Sequence, residues 1–198
     1  MKKNEFIWRH LLFEVIEKRT IRFQQQELAT LFSVSSSTVN AALIPIRRLG
    51  GIRVGGRGFD IVDYEKILYH WANVRQLSKD VAFSFRLNEP VREIEGQLPP
   101  DSYLTAYSAI RQRFGEPPAD YESVYCYHSH PEIVKNRFQK ETRNGKPNVF
   151  ILQADPFLYL YGKELSLGHI FVDLWNLTDW YAKDFVTYLK GVIDGLLS

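Results

Sequence analysis

The sequence predicts an α+β chain: a small helical unit closed by a β-hairpin, then a larger mixed α/β region around a central sheet. Three observations carry this. Between Leu28 and Ile46 apolar residues recur at helical spacing, and the pattern stops at Gly50-Gly51. Two short alternating runs on either side of Gly55–Gly58 follow at once, as in a tight hairpin. Beyond residue 79, strand-like runs at 81–86, 123–128 and 148–153 are separated by helical stretches. The 198 residues are 45% hydrophobic and 14% aromatic, which supplies a core and argues against disorder.

The first element, Glu5 to Lys18, reads as an amphipathic helix with Phe6, Leu11 and Val15 inward and Leu12 and Ile16 on the flank. Thr20 to Phe23 reads as a short strand. From Gln25 to Leu43 two helices meet at a tight turn. Leu28, Leu31 and Phe32 face inward on the first, the small Ala29 allows a close crossing, and Val34 plugs the corner. Ser35 or Ser36 is placed to cap the second helix. Its buried stripe is Val39, Ala42, Leu43 and Ile46, and Pro45 should kink or tighten its last turn. The opposite face begins with the short polar residues Ser36, Ser37, Thr38 and Asn40 and ends with Arg47 and Arg48. The hairpin strands are Ile52–Val54 and Phe59–Val62, with Arg53 on one strand and Arg57 at the glycine-rich tip.

Charge is divided unevenly along the chain. Residues 1–79 hold 13 Lys/Arg against 7 Asp/Glu, whereas residues 80–198 hold 12 against 16. A basic first part points to a polyanionic partner. The order helix, tight turn, helix, arginine-tipped hairpin resembles the winged helix-turn-helix of bacterial and archaeal regulators over about 60 residues. The resemblance implies double-stranded DNA as partner. Ser36, Ser37, Thr38 and Asn40 would approach base edges in the major groove, with asparagine able to read adenine. Arg47, Arg48, Arg53 and Arg57 would neutralise phosphates, Arg57 with reach into the minor groove.

Asp63 to Lys79 reads as a linker helix, with Asp63 as cap and Ile67, Leu68, Trp71, Val74 and Leu77 on one stripe. The expected division is therefore a DNA-binding unit at 1–62, a linker helix at 63–79 and a second domain at 80–198. In that domain Ser102–Phe114 reads as a helix, and Phe157–Tyr161 and Ile170–Leu174 as short apolar runs. Asp179–Leu197 reads as a terminal helix with Tyr181, Phe185, Tyr188, Leu189, Val192 and Leu196 inward. The segments Ile170–Leu174 leading to Asp179–Ala182, and Leu104–Ser108 before Val124–Tyr127, are similar to the C-terminal half of AbiEi-type antitoxins. That family pairs a winged helix with a nucleotidyltransferase-like domain. The resemblance implies an autoregulating antitoxin of a type IV toxin–antitoxin system, a repressor that binds repeats in its own promoter. Self-association on DNA is compatible with this, and contact with the cognate toxin is not required.

The second domain reads as lacking a complete catalytic set. Nucleotidyl transfer needs a Gly-Ser or Gly-Gly step and paired carboxylates that hold a divalent metal. Asp155 and Asp173 instead read as lone strand-end acids. His128-Ser129-His130 resembles the two-histidine core of JAMM-type zinc isopeptidases, but Gln139 and Thr142 stand where that motif has serine and aspartate. Period-two alternation places Cys126, His128 and His130 on one face, a weaker metal triad. The sequence therefore predicts no catalytic residues, no metal and no cofactor. A basic cluster, Lys135, Arg137, Lys140, Arg143 and Lys146, reads as a loop, solvated or touching further phosphate. No run is long and apolar enough to cross a membrane, the basic start is broken by Glu5, Arg9 and His10, and one cysteine permits no internal disulfide, all of which read as cytoplasmic. Two other functions remain open at this point: a metal-dependent hydrolase or nucleotidyltransferase with an accessory winged helix, and a protein-interaction adaptor.

Overall fold

In the computed structural model, which describes residues 1–139 and 142–198, helix α1 (Lys3–Glu17) is the element on which the others assemble. The expected amphipathic stripe is too narrow for it. Phe6, Ile7, Trp8, Arg9, Leu11, Leu12, Val15 and Ile16 are all buried, so only a small part of its circumference meets solvent. One side receives α3 (Ser36–Arg48) and α4 (Tyr64–Val74), and another receives α8 (Leu167–Trp175) and α9 (Ala182–Leu197). Trp8 Nε1 donates to the Ala42 carbonyl at 2.8 Å, tying α1 to α3 inside the core.

The chain is α+β with two separate sheets among the described residues. The first is three-stranded in the order β1 (Arg22–Phe23), β3 (Gly58–Ile61), β2 (Ile52–Gly55), all antiparallel. The second is ordered β4 (Val81–Phe85), β7 (Val149–Gln153), β6 (Val124–His128), β5 (Tyr103–Thr105). Its central pair, β6 and β7, is parallel and linked by α7 (Pro131–Phe138), while the outer pairs are antiparallel. All five β6 residues are buried, as a strand covered on both faces requires. Helices α5 (Val91–Gln97) and α7 cover one face through Ile94, Val134 and Phe138. The opposite face joins α6 (Ala106–Phe114), α8 and α9 in the core that also contains α1, α3 and α4.

Several expectations change. The segment 102–114 is not one helix. Tyr103–Thr105 pairs with β6 as an edge strand, and only Ala106–Phe114 is helical. Ile170–Leu174 belongs to the buried helix α8, so Asp173 is a core helical residue and not a strand-end acid. Leu31, Val74 and Leu196 are exposed at 37%, 40% and 41%, and the buried stripe of α9 is Phe185, Leu189 and Ile193. The expected linker helix stops at Val74, and Leu77–Asp80 forms a separate short 3-10 turn. The expected cap does form, Asp63 accepting from the Lys66 amide at 3.2 Å. Ile67, Leu68 and Trp71 are fully buried against α1 and α8, so α4 is a core element lying between the expected boundaries at residues 62 and 79.

Arg75 explains why α4 ends where it does. Its backbone leaves the helix in an extended conformation, and its side chain enters a buried polar cluster. The guanidinium donates to Asp80 Oδ2 at 2.5 Å and to Tyr127 Oη at 2.9 Å, with Glu5 Oε2 at 3.4 Å and Asp173 Oδ1 at 3.5 Å. Asp173 Oδ2 also accepts from Thr105 Oγ1 at 2.7 Å and Tyr127 Oη at 2.8 Å, and Trp71 Nε1 donates to Glu5 at 3.0 Å. Charges removed from water this completely persist only when paired and hydrogen-bonded. The cluster therefore fixes α1, α4, α8 and the second sheet in one register.

Burial has a pH consequence. Burial, reinforced by the neighbouring Arg9 charge, lowers the His10 pKa from 6.5 to about 4. Burial also holds His169 well below its ordinary value. As pH falls through about 6.5 the unfolded chain takes up protons that the folded chain refuses, so stability declines until the folded pKa is reached. His10 alone should lower stability by about 1–2 kcal/mol between pH 7 and pH 5. Urea unfolding at the two pH values checks this, and His10→Gln should shrink the difference.

Candidate nucleic-acid interface

Helices α2 (Gln25–Leu31) and α3 lie at 119° to each other across a four-residue turn. Ser33 takes a left-handed conformation (φ 49°), and the Val34 amide donates back to the Ala29 carbonyl at 2.9 Å. The chain can therefore reverse in a few residues, as at many helix C-termini, without a glycine. Ser35 then caps α3, its Oγ accepting from the Thr38 amide at 3.2 Å. Val39, Ala42, Leu43 and Ile46 are buried as the spacing requires. Gly50, at φ 74°, ends the helix in the left-handed conformation that favours glycine.

The outward face of α3 carries Ser36, Ser37, Asn40, Ala41, Ile44, Arg47 and Arg48. The four short polar residues are not equivalent. Ser37 Oγ and Thr38 Oγ1 lie 2.8 and 2.9 Å from Ser35 Oγ, and Thr38 is half-buried, so these two belong partly to the cap. Ser36 and Asn40 are exposed one turn apart. Ile44, 39% exposed on the next turn, is a residue that sequence reasoning left out. Its helical phase, i+4 from Asn40, is the signal that finds it. An apolar side chain there suits a thymine methyl group. The first turn of α3 holds no acidic side chain and its last turn holds two arginines, so the face is basic at one end and open to an anion at the other.

The hairpin of β2 and β3 pairs Gly55 with Gly58, leaving Gly56 and Arg57 as its two-residue tip. Gly58 has φ 152°, and a Cβ there would lie 2.2 Å from the Phe23 carbonyl oxygen, so at this point the hairpin backbone lies directly against that of β1. Arg57 is exposed. A cavity of about 250 Å³ beneath it is lined by Arg22, Asp60 and the turn itself. Register places Arg22, Asp60 and Arg53 in one row across the sheet. Arg22 is a second residue the sequence reasoning missed, because only the pairing of β1 with β3 brings it to the hairpin. Its Nε and Nη2 donate to Asp60 at 2.9 and 3.4 Å while 81% of the side chain stays exposed. Hydrogen bonding from Arg22 holds the Asp60 carboxyl below its ordinary pKa, and Arg53 adds to this. One carboxylate thus orients Arg22, with Arg53 on its other side, and the row keeps a net positive charge.

The other candidates are not brought together. Cys126 lies in the apolar core under α5 and α7, where burial raises its thiol pKa to about 12. His128 is fully buried, and its Nδ1 accepts from the His130 amide at 2.9 Å with Asp101 Oδ1 3.1 Å from its Nε2. The alternation argument fails because β6 is central: Cys126 and His128 face a core, while His130 lies beyond the strand end. No group of three potential metal ligands occurs among the described residues. Asp155 is taken up by Arg9, which donates to both its oxygens at 2.5 and 2.8 Å. Of the basic cluster, Lys135 and Arg137 sit on α7 instead of a loop, and Arg143 pairs its backbone with Arg86. Lys140 lies outside the described residues, and α7 packs on the second sheet and not beside α3. No single helix among the described residues is long and apolar enough to cross a membrane.

Compared with known proteins, the chain matches no protein-family model, no curated protein and no solved structure.

Proposed function

We propose that this protein is a DNA-binding transcriptional regulator whose N-terminal part works as a winged helix-turn-helix. The carrying observation is the 119° pair α2–α3 followed directly by an arginine-tipped hairpin, with the outward face of α3 free of core packing. Helix pairs in helix-turn-helix proteins cross at about this angle, and the exposed helix then fits the major groove. Ser36 and Asn40, with Ser37 and Thr38 at the cap, approach base edges, and Ile44 offers an apolar contact. Arg47, Arg48, Arg53 and Arg57, joined by Arg22, face phosphates. The similarity of the C-terminal segments to AbiEi-type antitoxins narrows the proposal to an autoregulating antitoxin acting on repeats upstream of its own gene.

The test is DNA binding at several salt concentrations, using the upstream DNA and an unrelated duplex. Arg57→Ala should weaken binding to both and lower the salt slope by about one, the loss of one phosphate contact. Asn40→Ala should instead change the preference between the two duplexes. Salt-independent or undetectable binding by the unaltered protein would overturn the proposal.

A further inference from the structure

A second cavity, of about 280 Å³, opens away from the hairpin, where the segment 77–81 and the turn between α8 and α9 meet the start of β6 and β7. Its floor is a pair of aromatic rings. Tyr125 and Phe150 are register partners on the parallel strands, with centroids 4.4 Å apart and planes inclined by only 6°. Tyr125 is nearly closed off by the core, whereas Phe150 stays half-exposed. At the register of Phe150 the edge strand β4 supplies the small, exposed Ser84, and Val81 of the same strand lines the cavity beside it. Leu77 and Leu177 supply apolar walls.

The rim is of a different character. Ser123 and Thr178 present hydroxyl groups that both donate and accept, Lys146 contributes a cation and Asp179 a carboxylate. Asp179 Oδ2 accepts from Tyr107 at 3.0 Å, which fixes the carboxylate at the mouth. An apolar aromatic seat with a few polar groups around it is the usual make-up of a small-molecule site, and a volume just below the usual range limits the ligand to a small one. It admits one planar ring system of one or two fused rings. The mixed rim selects a ring whose edge carries both donors and acceptors. A hydrocarbon would leave the rim groups unpaired, and a simple carboxylate would use only the lysine.

We infer that this cleft binds a planar heteroaromatic ligand of nucleobase size, stacked on Phe150 and held at its edge by the rim. The site is separate from the proposed DNA interface and does not depend on it. The probes are adenosine, guanosine, cytidine and uridine at millimolar concentration, offered to the full chain and read by saturation-transfer difference NMR. At least one nucleoside should receive saturation, stronger on its base protons than on its ribose. Phe150→Leu keeps an apolar side chain but removes the stacking face, and should weaken binding about tenfold, in line with base–aromatic stacking elsewhere. Thr178→Arg, at an exposed rim position, fills the cleft and should abolish transfer while amide spectra stay native. The inference is overturned if none of the four base rings receives saturation, or if transfer is unchanged in both variants.

Discussion

Replacing Asp155 with alanine should lower stability by about 3–5 kcal/mol, the penalty for leaving a buried charge without its partner. The charge is Arg9, whose side chain is fully buried on α1 between Asp155 and the ring of Tyr161, 4.8 Å from the guanidinium carbon. Asp155 lies just after β7, 146 positions away, so the pair ties the helix beneath the candidate DNA interface to the second sheet. Thermal unfolding followed by circular dichroism should show a midpoint lower by about 10 °C for a domain of this size. Arg9→Met combined with Asp155→Leu should recover much of the loss, because an apolar pair of similar volume needs no compensation for lost hydration. An Asp155→Ala protein within 1 kcal/mol of the original, to order of magnitude, would show that Arg9 finds water or another acceptor.

The second large effect concerns DNA. Reversing Arg47 and Arg57 together, as Arg47→Glu and Arg57→Glu, should reduce affinity for any duplex by a factor of about 100 or more at low salt, and lower the salt slope by about two. Both side chains are exposed, so neither reversal disturbs the core. The two lie on different elements, the last turn of α3 and the hairpin tip, so a loss greater than either single reversal indicates that both elements meet the same DNA. If the double variant binds as tightly as the original, with the same salt slope, the helix and hairpin do not form the interface.

The first sixty residues were the most legible part of the sequence. The turn between α2 and α3, the cap at Ser35, the stripe from Val39 to Ile46 and the hairpin around Arg57 are each set by neighbours a few positions away, through spacing, capping and glycine geometry. The candidate face followed directly, since the outward side of a helix is whatever its buried stripe leaves over. The second region was less legible because its elements are decided by what covers them. Tyr103–Thr105 becomes a strand because β6 offers an edge, and Ile170–Leu174 becomes a helix surrounded by core on every side, where periodicity disappears.

The sequence by itself determined the local elements of the N-terminal part and its basic surface, because capping, periodicity and turn chemistry act over one or two helical turns. Only the tertiary structure decided the rest. It brought Arg22 beside Asp60 from 38 positions away. It paired Arg9 with Asp155 and gathered Glu5, Arg75, Tyr127 and Asp173 into one buried cluster. Charges widely separated in the chain become partners only when burial strips away their water and leaves one another as the remaining source of compensation. That requirement leaves α4, expected as a packed linker helix, inside a core that extends across both expected domain boundaries.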